Sequence, residues 1–116
     1  MASPDYAAFR TQIDLGIHPA AHKYIGGDLY DFYTSPSDPV FFLLHSQVDR
    51  LWALWQGQDY AARKDQVGGT VTFRNLPPSE NATLSSVLRF DQSVGEDVTF
   101  KDTVSSVENA FCYVYA

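Results

Sequence analysis

The stretch from Asp38 to Gly57 constrains the fold most, because residue chemistry marks both of its ends and one of its faces. Asp38 is a capping residue, Pro39 suits the first helical position, and Gly57 stands where a helix stops. The helix between them should hold about 18 residues and measure about 27 Å. Its apolar stripe is Phe41, Leu44, Val48, Leu51, Trp52 and Trp55. His45 falls inside that stripe rather than on the wet face of Ser46, Gln47 and Arg50.

Two helices are expected upstream. Ser3-Pro4-Asp5 is a helix-start signal, and the helix to about Asp14 should bury Tyr6, Phe9 and Ile13. Gly16 allows a break, and Pro19 must lie in the first turn of a second helix, since deeper placement loses a hydrogen bond and clashes. That helix begins between Gly16 and Pro19 and ends at Gly26-Gly27. Asp28 to Ser37 reads as a loop. The character changes after Gln56, where Gly68-Gly69 and Pro77-Pro78 bracket a short strand, Thr70 to Phe73. Val98 to Phe100 and Phe111 to Tyr115 read as further short extended pieces.

At 116 residues the chain is expected to be a single domain, 1–116, with an aromatic fraction of 15% that supplies a packed core. A formal charge of -6 without any Lys/Arg cluster excludes the electrostatic footprint of a nucleic-acid binder and disfavours anionic membranes. No apolar run approaches the roughly 20 residues that span a bilayer. Met1 to Asp5 lacks the basic flank and apolar core of a signal peptide. The chain reads as soluble. Cys112 is the single cysteine, so no intrachain disulfide forms, and it is expected to be buried as a small hydrophobe. Asn81-Ala82-Thr83 is a glycosylation sequon, which would fit a secreted parent protein.

The chain has three histidines. Taken alone, His45 on an apolar stripe reads as a core residue donating to a backbone carbonyl. His18 and His22 are four residues apart and share one helix face. Together the three suit one metal site with an open coordination position, against the plainer alternative of core histidines and a chance pair. Neutral imidazole accepts copper, zinc, iron or nickel, so these residues alone do not choose the metal.

The surrounding residues do carry a resemblance. His18-x3-His22-x3-Gly26-Gly27, the loop ending Ser35-Pro36-Ser37-Asp38-Pro39, and Phe41-Phe42-x2-His45-x2-Val48-Asp49-Arg50-Leu51-Trp52-x2-Trp55-Gln56 resemble the second copper-binding region of the tyrosinase and catechol oxidase family. Phe111 to Tyr115 is similar to the tyrosine motif that closes the catalytic domain there. Tyr6-x2-Phe9 and the stretch Asn75 to Leu84 are most similar to the shorter fungal members.

The resemblance implies a mainly α fold, half of a type-3 copper four-helix bundle with two ligand-bearing helical segments. The ligand region would be 16–56, and a part with short strands and loops would follow over 57–116. It implies copper held by His18, His22 and His45, with the three ligands of the first copper absent from this chain. Leu44 stands where the family usually has another histidine. Phe41 would pack on a ligand ring, a position that a plain core role also satisfies. Asp49 and Arg50 would form a brace between the ligand helix and neighbouring backbone, with Tyr113 and Tyr115 as a structural motif beside such an arginine.

The implied reaction is oxidation of o-diphenols to o-quinones with dioxygen. Pro19 replaces the Asn with which hydroxylating members hold a water, so monophenol hydroxylation is disfavoured. Two copper centres are needed, so the second would come from a first-copper chain or from a second copy of this one. The rival readings are a non-catalytic copper-binding or interaction module and a zinc hydrolase, which would need a carboxylate base that no spacing singles out. The lone stripe of Phe41, Leu44, Val48, Trp52 and Trp55 is expected to be exposed and to drive self-association.

Overall fold

The Asp38 carboxylate accepts from the Val40 N–H at 2.9 Å, and helix α3 begins there, running Val40–Gly57. Gly57 is its last residue rather than the first beyond it. In this computed structural model, which describes residues 3–90 and 95–116, the chain divides into two compact units, Met1–Gln58 and Asp59–Ala116.

In the first unit, α1 spans Tyr6–Gln12. Its cap is Asp5, whose side chain accepts from the Ala8 N–H at 2.9 Å, and not Ser3 as expected. Ser3 is fully buried instead, donating its hydroxyl to Gln12 Oε1 at 3.0 Å while its carbonyl accepts from Trp55 Nε1 at 3.0 Å. The break expected at Gly16 is a wider helical turn, Ile13–Ile17, in which the His18 N–H reaches back to the Ile13 carbonyl. Gly16 carries the departure, at φ -117° and ψ -105°. Helix α2 follows as His18–Ile25 with Pro19 in its first turn, and Gly26 and Gly27 end it at φ 72° and 56°. Those left-handed values are why glycine stands at both positions.

The expected loop from Asp28 to Ser37 contains two tight 3-10 turns, Gly27–Tyr30 and Ser35–Ser37. Asp31 joins them by accepting from the Tyr33 and Thr34 N–H groups, which hold its carboxyl below the usual range.

The core of this unit is Phe9, Ile13 and Trp55, with Tyr6, Val48, Leu51 and Trp52 packed against it. Phe9 stacks on Trp55 at 5.1 Å between centroids, and Tyr6 meets Trp52 edge-on at 5.6 Å. The stripe of α3 is therefore largely covered by α1, contrary to the expectation of an exposed patch there. Exposed apolar residues lie elsewhere and include Phe42 (61%) and Leu43 (71%) on α3 and Leu15 (80%) and Ile17 (51%) in the turn before α2.

The second unit holds the short helix α4, Tyr60–Arg63, and a two-stranded antiparallel ribbon, β1 (Val87–Leu88) with β2 (Val98–Thr99), in register Val87 to Thr99 and Leu88 to Val98. Thr70 to Phe73 is not a strand. Only Thr70 pairs, in a single bridge to Asn81, and the chain then turns through a 3-10 segment, Phe73–Asn75. Arg74 and Asn75 have φ of 54° and 57°, which a continuing strand cannot contain. Phe100 opens helix α5, Phe100–Thr103, rather than extending β2. Phe111 to Tyr115 forms no regular strand, and Cys112 is exposed rather than buried.

A capping box starts α5: the Asp102 carboxylate accepts from the Thr99 N–H at 2.9 Å and the Thr99 hydroxyl at 2.6 Å. Those two bonds lower its pKa, so their stabilisation is present above the ordinary Asp value and is lost as pH falls through the lowered one. Asp102→Asn should keep the cap and remove this acid sensitivity. Urea midpoints between about pH 5 and 2 check it, wild type falling more steeply than the variant.

Candidate metal centre

His18 opens α2, His22 lies one turn later on the same face, and His45 projects from α3. Their Nε2 atoms converge: 3.0 Å from His22 to His18, 3.3 Å from His18 to His45, and 3.4 Å from His45 to His22. All three side chains are half-buried.

The orientation of His22 is set from behind. Its Nδ1 lies 2.7 Å from the Leu29 carbonyl oxygen, which can only accept, so Nδ1 carries the proton and Nε2 presents a lone pair. The Ser35 hydroxyl donates to the same carbonyl at 3.1 Å and lies 3.3 Å from His22 Nδ1. Phe41 stacks on the His45 ring with centroids 4.0 Å apart and planes at 25°, and meets the His22 ring edge-on at 6.4 Å.

The donor set fits a metal ion. Hydrogen bonds cannot satisfy three ring nitrogens mutually in van der Waals contact, because each imidazole has one in-plane direction at Nε2 and at His22 that direction carries a lone pair. Three nitrogens each about 2 Å from one ion, at angles near tetrahedral, stand about 3.3 Å apart, which is the spacing found here. Burial and the neighbouring imidazoles lower the pKa of His45, and burial with His22 lowers that of His18 against a smaller opposing pull from Asp14. Both are then neutral at neutral pH, the form that ligates. Among the described residues this is the one cluster of three or more His, Cys, Asp or Glu side chains poised for a metal.

The other expected site residues occupy known places. Asp49 and Arg50 are half-buried on α3, one turn beyond His45. Tyr113 and Tyr115 belong to the second unit, their rings edge-on at 5.7 Å, and the Tyr113 N–H donates to the Ser106 carbonyl at 2.9 Å. Sequence reading missed Leu29 and Ser35. The Leu29 contact is made by a backbone oxygen, which has no signature in residue type, and Ser35 was visible only as one member of a Ser-Pro turn.

Residues 1–58 match the family model for the common central domain of tyrosinase. That match ends where the first unit ends. Oxidase hkm6 of Aspergillus hancockii is 42% identical over 101 residues, covering 87% of this chain and 35% of that protein. Tyrosinase P of Aspergillus terreus is 31% identical over 121 residues, covering 97% and 34% respectively. A polyphenol oxidase mutant from Thermothelomyces thermophila has the same fold across 99% of this chain and 35% of its own, with a TM-score of 0.86 and 35% sequence identity. This chain belongs to the tyrosinase family, whose fold binds copper, and it is mainly α as that family requires. It spans about a third of the length of the relatives it matches. No helix among its described residues is long and apolar enough to cross a membrane.

Proposed function

We propose that the chain is the second-copper half of a polyphenol-oxidase-type centre, holding one copper ion through Nε2 of His18, His22 and His45 and serving the oxidation of o-diphenols to o-quinones. The observation that carries this reading is the Nε2 triangle with edges of 3.0, 3.3 and 3.4 Å. When bound, copper supplies Lewis acidity and a one-electron couple. The chain's own residues do the positioning. The Leu29 carbonyl fixes the His22 tautomer, and Phe41 restrains the plane of the His45 ring. Pro19, next to His18, offers no polar side-chain atom to hold a water against a monophenol hydroxyl, which favours diphenols as substrates.

Electron balance sets what else is required. Two diphenols give up four electrons and four protons to one dioxygen, yielding two quinones and two waters, and each diphenol loses its electrons in a pair. One copper ion cycles one electron, and three histidines cannot furnish two three-nitrogen sites. The other three imidazoles are not among these 116 residues, and in this reading they come from a region carrying the first-copper ligands, as on a partner, or from a second copy about a two-fold axis. The second reading is a copper-binding module without oxidase activity, because a single three-nitrogen site suffices to hold an ion.

Initial rates of catechol oxidation across a dilution series of copper-loaded chain distinguish these readings. If two copies share a centre, the rate should fall roughly with the square of concentration once dimers dissociate. Strict proportionality among demonstrable monomers refutes the shared centre. Absence of turnover at every concentration, restored by adding a first-copper chain, supports the partnered half-site. If no partner restores it, the non-catalytic module stands.

A further inference from the structure

We propose that Ser35 is a positioning residue for the metal centre, acting on His22 through the Leu29 carbonyl. The proposal rests on the reading of His22 as a ligand and adds a group that holds the ligand in its binding form. Ser35 is only 5% exposed, although the other residues from Tyr30 to Ser37 are exposed. Its hydroxyl points inward, donating to Leu29 O at 3.1 Å, with its oxygen 3.3 Å from His22 Nδ1. Leu29 is 1% exposed, so its carbonyl takes two bonds, from Ser35 and from His22 at 2.7 Å, in a place screened from water.

The consequence follows from the direction of each proton. The Ser35 hydroxyl proton goes to Leu29 O, so the two oxygens facing Nδ1 both present lone pairs to it. That pair of acceptors accommodates a ring N–H and repels a ring lone pair, which holds the proton on Nδ1 and leaves Nε2 free for an ion. Ser35 also clamps Leu29 O across six residues of loop, tying together the two 3-10 turns that follow α2. Without the hydroxyl, Leu29 O keeps only its bond to His22, and the ring it orients gains freedom about its side-chain torsions. Outer partners of metal-ligating imidazoles typically matter by about 10- to 100-fold in affinity.

The test compares Ser35→Ala with Ser3→Ala, which removes another buried hydroxyl of the same unit, one bonded to Gln12 instead. Long-range proton–nitrogen NMR of the metal-free chain reads the His22 tautomer and the solvent exchange of its Nδ1–H. Equilibrium dialysis reads copper affinity. Ser35→Ala should speed exchange of that proton and admit the Nε2–H tautomer, and it should weaken copper binding about tenfold or more. Ser3→Ala should lower stability but leave tautomer and affinity as in wild type. If Ser35→Ala leaves exchange and tautomer unchanged, or if Ser3→Ala alters them equally, Ser35 has no positioning role. Should wild type itself bind no copper, the ligand reading fails, while the NMR comparison still decides whether Ser35 orients His22.

Discussion

His45→Ala should abolish stoichiometric copper binding, lowering affinity on the order of a hundred- to a thousandfold, with the helical content of the chain retained. His45 is the one imidazole supplied by α3, and its Nε2 closes two of the three edges of the nitrogen triangle. Removing it leaves His18 and His22 as a two-nitrogen pair on α2, no better than many chance pairs on helices. His45 is half-buried and is not one of the fully buried Phe9, Ile13 and Trp55 side chains, so loss of binding with helical content retained would report the site rather than unfolding. The exposed Cys112 thiol is a competing soft ligand, and the comparison belongs in a Cys112→Ser background. Dialysis against copper, with circular dichroism as the control, checks the result. Unchanged stoichiometry and affinity would remove His45 from the site.

The second large effect is on stability. Trp55 is 1% exposed, stacks on Phe9 at 5.1 Å, leans on Trp52 at 5.3 Å, and donates its indole N–H to the Ser3 carbonyl at 3.0 Å. Trp55→Ala should cost about 3–5 kcal/mol, a large share of the roughly 5–15 kcal/mol that holds an ordinary domain together. Part of this is the cavity, and part is the buried Ser3 carbonyl left without its donor. Trp55→Phe keeps most of the ring contact and loses the hydrogen bond, so it should cost less. Urea denaturation followed by far-ultraviolet circular dichroism gives both values. The copper site should weaken in parallel for Trp55→Ala, because the same packing sets the position of α3 against the segment leading into His18. A Trp55→Ala chain as stable as wild type would show that this cluster does not hold the unit together.

The parts of this structure that were legible in the sequence are those dictated by local chemistry. Asp38 and Pro39 before an apolar stripe announce α3, Pro19 must sit in the first turn of α2, and paired glycines end it. The histidine cluster was legible because the spacing of His18 and His22 is fixed by the helix repeat. The resemblance then added His45 to that pair. What was not legible depended on contacts distant in sequence. Ser3 and Asp5 are both good caps, and Asp5 takes the role because Trp55 docks on the Ser3 carbonyl and Ser3 turns inward to Gln12. Thr70 to Phe73 has the alternation of a strand, yet its pairing is one bridge long, Thr70 opposite Asn81, and a strand is stable only where a neighbour completes its ladder. The clamp on His22 was hidden because a backbone oxygen performs it.

X-ray absorption of the copper-loaded chain in the Cys112→Ser background counts the nitrogen ligands themselves. One copper per chain with three imidazole nitrogens at about 2 Å is expected, with one of them lost in His45→Ala. Two or fewer imidazoles in the wild-type chain, or a spectrum that His45→Ala leaves unaltered, would contradict the three-histidine site.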